Sequence, residues 1–296
     1  MTKGRPVGGA PMQHRVLLDG LAMPESPRWR DGRLWFSNWG TREILAVDLE
    51  GNSEVVGEGP DGLGWATNWL PDGRLLVTGP ELVRVERDGS RVRHADLSRI
   101  SGLGWSEMTV DGRGNVYVNT INFAFARFRE VLENGEAPGK IALVTPDGST
   151  REVASELAFP NGMVITPDNK TLIVSESFAS RLTAFDIDDG GGLSNRRAWA
   201  EGVGPDGICL DTDGCIWTSS ASMKNDCVRI RGGGEVLERI DLDRPCFATM
   251  LGGPDRRTLF MLTADWHGTG EIESVIKART GQVLIADAPA AGIGWP

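Results

Sequence analysis

The 296-residue sequence contains no apolar run long enough for a transmembrane helix or for the core of a secretion signal. Its first residues, MTKGRPVGGAPMQ, are rich in Gly and Pro, and residues 1–13 are expected to form a flexible arm. Basic residues are in deficit: 31 Lys and Arg stand against 41 Asp and Glu, a formal net charge of −10. With no basic cluster to offset that balance, a nucleic-acid partner is excluded, and the lack of apolar runs argues against a membrane one. A small-molecule substrate is the expected partner. The four cysteines, Cys209, Cys215, Cys227 and Cys246, lack the CxxC spacing of a zinc site and read as packed, reduced thiols of a cytoplasmic protein. Only three histidines are present, which makes a Ser-His-Asp triad a poor fit. His14 stands at the N-terminal arm, His94 falls in the polar text RVRHADL, and His267 alone, beside Trp266 in TADWHGTG, lies where a substrate contact is expected.

Turns, by contrast, are plentiful, with 39 glycines. A turn sequence recurs inside similar apolar text: RWRDGRLWFSN, NWLPDGRLLVTG, TVDGRGNVYVNT, VITPDNKTLIVSES, CLDTDGCIWTSS and LGGPDRRTLFMLT. The turn aspartates Asp31, Asp72, Asp111, Asp168, Asp213 and Asp255 are spaced by 41, 39, 57, 45 and 42 residues. Hairpin text repeating at this period predicts propeller blades, each burying its faces against its neighbours. A second, more polar hairpin follows several of these, as in EILAVDLEGNSEVV and ELVRVERDGSRVRHA. The expectation is an all-β, six-bladed β-propeller with four strands per blade. It forms one domain over residues 14–296, closed by pairing QHRVLLDGLA at one end with GQVLIADAPA at the other.

If the Asp turns share one face, the starts of the first strands meet at the opposite face, around the axis. Glu25 in MPESP, Asn161 in FPNGM and Asp206 in GPDGI then converge, each behind a proline, and Ser106 occupies the equivalent place in the third repeat. Singly they read as a rim charge, a turn residue and an Asp-Gly turn. Together, two carboxylates and an amide oxygen suit one hard divalent cation.

These stretches, MPESPRW, PGKIALVTPDG, FPNGMVITPDNKTLIVSES and GPDGICLDTDGCIW, resemble the SMP-30/gluconolactonase/luciferin-regenerating family of six-bladed propellers over about residues 16–290. The resemblance implies one divalent metal held by Glu25, Asn161 and Asp206, and hydrolysis of a lactone or related ester with Asp206 as general base. Calcium is the first expectation, with zinc, manganese, magnesium or iron as alternatives. A non-catalytic propeller pinned by the metal and a metal-dependent phosphotriesterase are the competing readings.

One departure bears on the substrate. Where the family's sugar lactonases carry Arg-x-Asn-Asp-Gly, this chain has GWSEM, so that Gly104 and Ser106 replace the sugar-contacting pair and Glu107 follows. Ser106, Glu107, Asn122, Trp266 and His267 become the candidate substrate contacts. The longest repeat owes its length to NTINFAFARFREVLENGEAPGK, in which Phe123, Phe125, Phe128, Val131 and Leu132 recur at near-helical spacing. This insertion reads either as a lid or as a helix packed on the rim. With Trp39, Trp65, Trp105 and Trp266 it predicts an aromatic mouth and a substrate less polar than a sugar acid.

Overall fold

A computed structural model describes residues 12–221, 224–266 and 272–294. Among these the strands form six antiparallel sheets, each a propeller blade. Blade 1 runs Pro24–Arg30, Arg33–Asn38, Glu43–Val47, Ser53–Glu58, and blade 2 runs Thr67–Trp69, Leu75–Val77, Leu82–Val85, Arg91–Ala95. Blade 3 comprises Met108–Val110, Val116–Thr120, Gly139–Val144 and Thr150–Leu157, and blade 4 Pro160–Ile165, Thr171–Glu176, Arg181–Ile187 and Leu193–Glu201. Blade 5 contains Cys209–Asp211, Ile216–Thr218, Asp226–Ile230 and Val236–Asp241. A short strand, Gly292–Ile293, adds to its inner edge, a fifth strand not anticipated from the repeats.

Blade 6 takes three strands from the C-terminal part of the chain, Cys246–Gly252, Thr258–Thr263 and Gly281–Asp287. Its outer strand, His14–Leu21, comes from the N-terminal part, so the ring closes as expected. Two short helices sit at the top of the ring: α1 (Phe128–Asn134), in the long insertion of blade 3, and α2 (Ile272–Ala278), in blade 6. No helix among the described residues is long and apolar enough to cross a membrane.

The repetition of the aspartates has a local cause in four of the six blades. The carboxylates of Asp72, Asp111, Asp168 and Asp255 each accept the backbone N–H two residues on, at 2.9–3.1 Å, which fixes the turn between first and second strands. In blade 5 the equivalent cap is Asp211, at the end of the first strand, and Asp213 instead pairs with Arg229. Apolar side chains on both faces of the inner strands then pack between neighbouring blades. Leu34, Phe36 and Val47 of blade 1 meet Met250, Phe260 and Ile285 of blade 6. Val164 and Ile173 of blade 4 meet Ile216 and Val228 of blade 5, and similar clusters fill the other junctions. Outer strands have no outer neighbour and stay wet; Leu193–Glu201 is mostly exposed, whereas Cys246–Gly252 is buried throughout. All four cysteines are buried and unpaired, as expected.

Candidate functional site

The site residues stand where the inner strands break their ladders. In blade 4 the pairing is regular from Met163↔Val174 to Ile165↔Leu172 and slips between Pro160 and Met163, so Asn161 and Gly162 sit in a bulge. Blade 1 slips in the same way after Glu25, and blade 6 after Cys246. A bulge frees the backbone from the sheet and re-aims its side chain, here into the top of the axial channel. Ser26 shows the local cost, with a left-handed φ of 55°.

Two glycines bring the bulged strands together. A Cβ on Gly162 would lie 2.7 Å from the Asp206 carbonyl oxygen and 2.8 Å from the Gly207 Cα; one on Gly207 would lie 2.5 Å from the Ala248 Cβ. Only glycine permits this approach of blades 4, 5 and 6. The Pro-Asn-Gly and Pro-Asp-Gly sequences therefore place an oxygen-bearing side chain beside a glycine that lets the neighbouring strand close in.

The segment carrying Asp206 is held on all sides. The Asp206 carbonyl accepts Ser175 Oγ at 2.7 Å and the Gly162 N–H at 3.2 Å, the Pro205 carbonyl accepts Ser177 Oγ at 2.8 Å, and Gly207 N–H donates to the Phe247 carbonyl at 2.7 Å. Across the axis, the Ser26 N–H donates to Glu25 Oε2 at 2.9 Å. Asn119 donates from its amide to the Asn161 carbonyl at 2.7 Å, tying blade 3 to the blade 4 bulge.

Glu25 is buried, Asp206 is half-buried, and the two repel each other. Burial first, then the charges of Asp206 and Glu107, raises the Glu25 carboxyl well above its ordinary range, against the Ser26 N–H. Burial and Glu107 push Asp206 up to about 7, opposed by the Asn161 side chain and the Gly207 N–H. Asp206 Oδ1 is buried and accepts no hydrogen bond.

Glu107 is differently placed. Ser26 Oγ donates to its Oε1, and Arg28 Nη2 donates to its Oε2 at 3.1 Å, with both partners buried. With its oxygens engaged by Ser26 and Arg28, it is a braced anion rather than a free base. Among the described residues no three His, Cys, Asp or Glu side chains form a metal-holding cluster. The hard-oxygen set is two carboxylates and the Asn161 amide, with Glu107 turned to Arg28.

Above these residues opens a cavity of about 1100 Å³. Glu25, Ser106, Glu107, Asn161, Asp206 and Trp266 all line it, as do the tryptophans expected at the mouth, Trp39, Trp65 and Trp105. Ser106 Oγ donates to the Gly64 carbonyl at 3.0 Å. Trp266 packs edge-on against Phe247, ring centroids 5.9 Å apart. Asn122 is a correction: it does not line the cavity, and its amide donates to the Pro138 carbonyl at 3.1 Å, bracing the base of the insertion. His267 lies outside the described residues. His94 lies on the outer strand of blade 2, its Nδ1 3.3 Å from Arg84 Nη1.

The insertion is fastened rather than loose. Phe128 of α1 packs edge-on against Phe178 at 4.8 Å and Phe159 at 5.5 Å, Phe159 stacks on Phe178 at 4.5 Å, and Phe123 and Val131 are buried. This supports the rim-packed reading of the helix. Two cavity features escaped the sequence reading. Cys246, taken as a packing thiol, also reaches the cavity wall near Glu25. The tetrapeptide Gly-Leu-Gly-Trp occurs twice, at 62–65 and 102–105, each time burying its tryptophan and exposing its leucine at the mouth. Its third residue, Gly64 or Gly104, has φ of 78° or 85°, a backbone that an arginine at position 104 would adopt only with strain.

Comparison with known proteins agrees with the propeller fold. A pentonolactonase from Haloferax volcanii is 26% identical over 211 residues, 64% of this chain and 68% of that protein. Among solved structures, a luciferin-regenerating enzyme superimposes with a TM-score of 0.78 at 17% identity, covering 96% of this chain and 99% of that one. The calcium-binding protein regucalcin from Agrobacterium tumefaciens gives 0.76 at 19% identity, covering 97% of each. Residues 23–265, which span the first strands of all six blades, match the SMP-30/Gluconolactonase/LRE-like region, and the chain belongs to that family.

Proposed function

We propose that the protein is a divalent-metal-dependent lactonase acting on lactones or related esters less polar than sugar lactones. The observation that carries this reading is buried Glu25 beside half-buried Asp206 at the floor of an aromatic cavity, with the buried Asp206 Oδ1 unpartnered. Two repelling carboxylates and an amide oxygen without a basic partner fit a hard cation, calcium above all, and Glu25, Asn161 and Asp206 are the residues to hold it. The pentonolactonase and the calcium-binding regucalcin among its relatives support both halves of the reading.

Bound there, the cation supplies Lewis acidity to an ester carbonyl oxygen as it gains negative charge. The chain's own residues supply the rest. Asp206, with its backbone locked by Ser175, Ser177 and the Gly207 N–H, accepts the proton of the attacking water. Glu107 is held by Arg28 and Ser26, which leaves Glu25 and Asp206 as the two floor carboxylates without a basic partner. The aromatic wall excludes bulk water and receives the apolar body of the substrate. Gly104 and Ser106 offer little to a polyhydroxylated acid.

A lactone panel read by acid release at constant pH, with and without chelator, tests the proposal. Apolar lactones should turn over faster than aldonolactones, and chelation should abolish both. Gluconolactone as the best substrate would overturn the specificity argument, and full activity in chelator would overturn the metal.

A further inference from the structure

The exposed apolar residues of this protein are not scattered. Of seven large hydrophobic side chains exposed among the described residues, four line the cavity mouth: Leu63, Leu103, Phe125 and Leu132. Concentration of such residues on one rim marks a surface that meets apolar matter. They belong to the two Gly-Leu-Gly-Trp loops and to the insertion, so they occupy the arc of the mouth over blades 2 and 3.

On the same arc stands Arg129. It is the one basic side chain among the described residues lining a cavity whose charged lining is otherwise Glu25, Asp61, Glu107 and Asp206. Its neighbour Arg127 is engaged by Glu130 and Glu136, while Arg129 has no ion pair with any described residue. The Phe128 anchor fixes the helix that carries it, so the guanidinium is presented at a set place on the rim rather than on a swinging loop.

Resting on the lactonase reading for the floor of the site, we propose that the substrate is an amphipathic anion. Its ester carbonyl sits over Glu25 and Asp206, its apolar body runs along the aromatic wall to the leucines of the rim, and a carboxylate or sulfonate at its far end pairs with Arg129. The volume supports this. About 1100 Å³ exceeds the 300–1000 Å³ that usually encloses a drug-sized ligand, and a lone lactone ring would leave most of it empty. The charge layout supports it too, because Arg129 is the one basic side chain among the described residues that line the cavity, so an anionic end finds its side-chain ion pair at the rim while the ester lies over the floor.

The test separates binding from chemistry by using two fluorescent probes of similar shape, anionic 8-anilinonaphthalene-1-sulfonate and neutral N-phenyl-1-naphthylamine. Both should bind the wild-type protein, and Phe178→Ala should weaken both. Arg129→Met should weaken the anionic probe about 3- to 10-fold and leave the neutral one unchanged, with Arg129→Lys recovering most of the loss. For hydrolysis, Arg129→Met should raise KM for a carboxylate-bearing aryl lactone and leave kcat, and all constants for the neutral parent lactone, as they were. Equal effects of Arg129→Met on the two probes, or no binding of the anionic probe by the wild type, would overturn the proposal. If no lactone is turned over but the probe selectivity depends on Arg129, the amphipathic-anion site stands and the lactonase reading falls.

Discussion

Arg28 lies against Glu107 with a nitrogen-to-oxygen distance of 3.1 Å, and both side chains are about nine-tenths buried. The pair joins the first strand of blade 1 to the residue just before the first strand of blade 3, and Arg28 also donates to the Met108 carbonyl of that strand at 2.9 Å. Removing one partner of such a pair strands the other charge in the interior, at about 3–5 kcal/mol. Arg28→Met should therefore lower unfolding stability by about that amount, and adding Glu107→Gln should restore a substantial part of it. Urea titrations of the two variants decide this: equal stabilities would mean that the ionic contact is not what braces Glu107.

The purified protein should hold about one divalent ion per chain. Glu25→Gln and Asp206→Asn each remove a charged oxygen and should weaken binding, the double variant more than either. Metal analysis after dialysis is the measurement, and full occupancy in the double variant would rule out this pair as ligands.

Ligation and proton transfer separate at Asn161. A neutral amide contributes a dipole and little charge, so Asn161→Ala resupplied with excess metal should regain much of its rate. Asp206→Asn should stay slow at saturating metal by about 10²- to 10⁴-fold, the usual loss for a general base. Saturation must be established by titration in both variants. Equal residual rates would reduce Asp206 to a ligand.

The pH dependence follows from the raised carboxyls. Asp206 titrates near 7 in the folded, metal-free protein against an ordinary value of 3.8, and Glu25 is raised in the same sense. Between those values the folded state binds protons that the unfolded state has released, so the contribution of this pair to stability is full below about pH 4 and is lost as pH rises through 7. The melting temperature of the chelated protein should fall from pH 5 to pH 8, and added cation, replacing the proton, should stabilise most at pH 8. A chelated Glu25→Gln, Asp206→Asn protein should lose most of this slope. An unchanged slope there would place the titrating groups elsewhere.

Much of this structure is legible in the residue order because its causes are local. The Asp turns recur since each aspartate caps its own turn at Asp72, Asp111, Asp168 and Asp255, and the apolar text recurs since every inner strand is covered on both faces. That Glu25, Asn161 and Asp206 face one cavity was readable because each follows a proline at the start of its blade. The Arg28 contact to Glu107 left no such trace, since its partners are 79 residues apart and neither belongs to a recurring pattern. Asn122 misled for a related reason: it adjoins the strand end that reaches the cavity, but at φ 55° its side chain turns back to Pro138. Phe159 and Phe178, which pin the insertion, are 19 positions apart and come together only where the fold places them side by side.

The strand His14–Leu21 closes the ring by pairing with Gly281–Asp287, and Glu25 follows it by only four residues. The seam of the circle thus adjoins one of the oxygen-bearing side chains of the site. A circular permutation that opened the chain at the Asp88-Gly89 turn and joined the present ends would move that seam two blades on, from blade 6 to blade 2. In such a molecule fraying of the termini would no longer reach the Glu25 strand first, and the distance between Glu25 and Asp206 would be governed by blades whose own edges are covalently continuous.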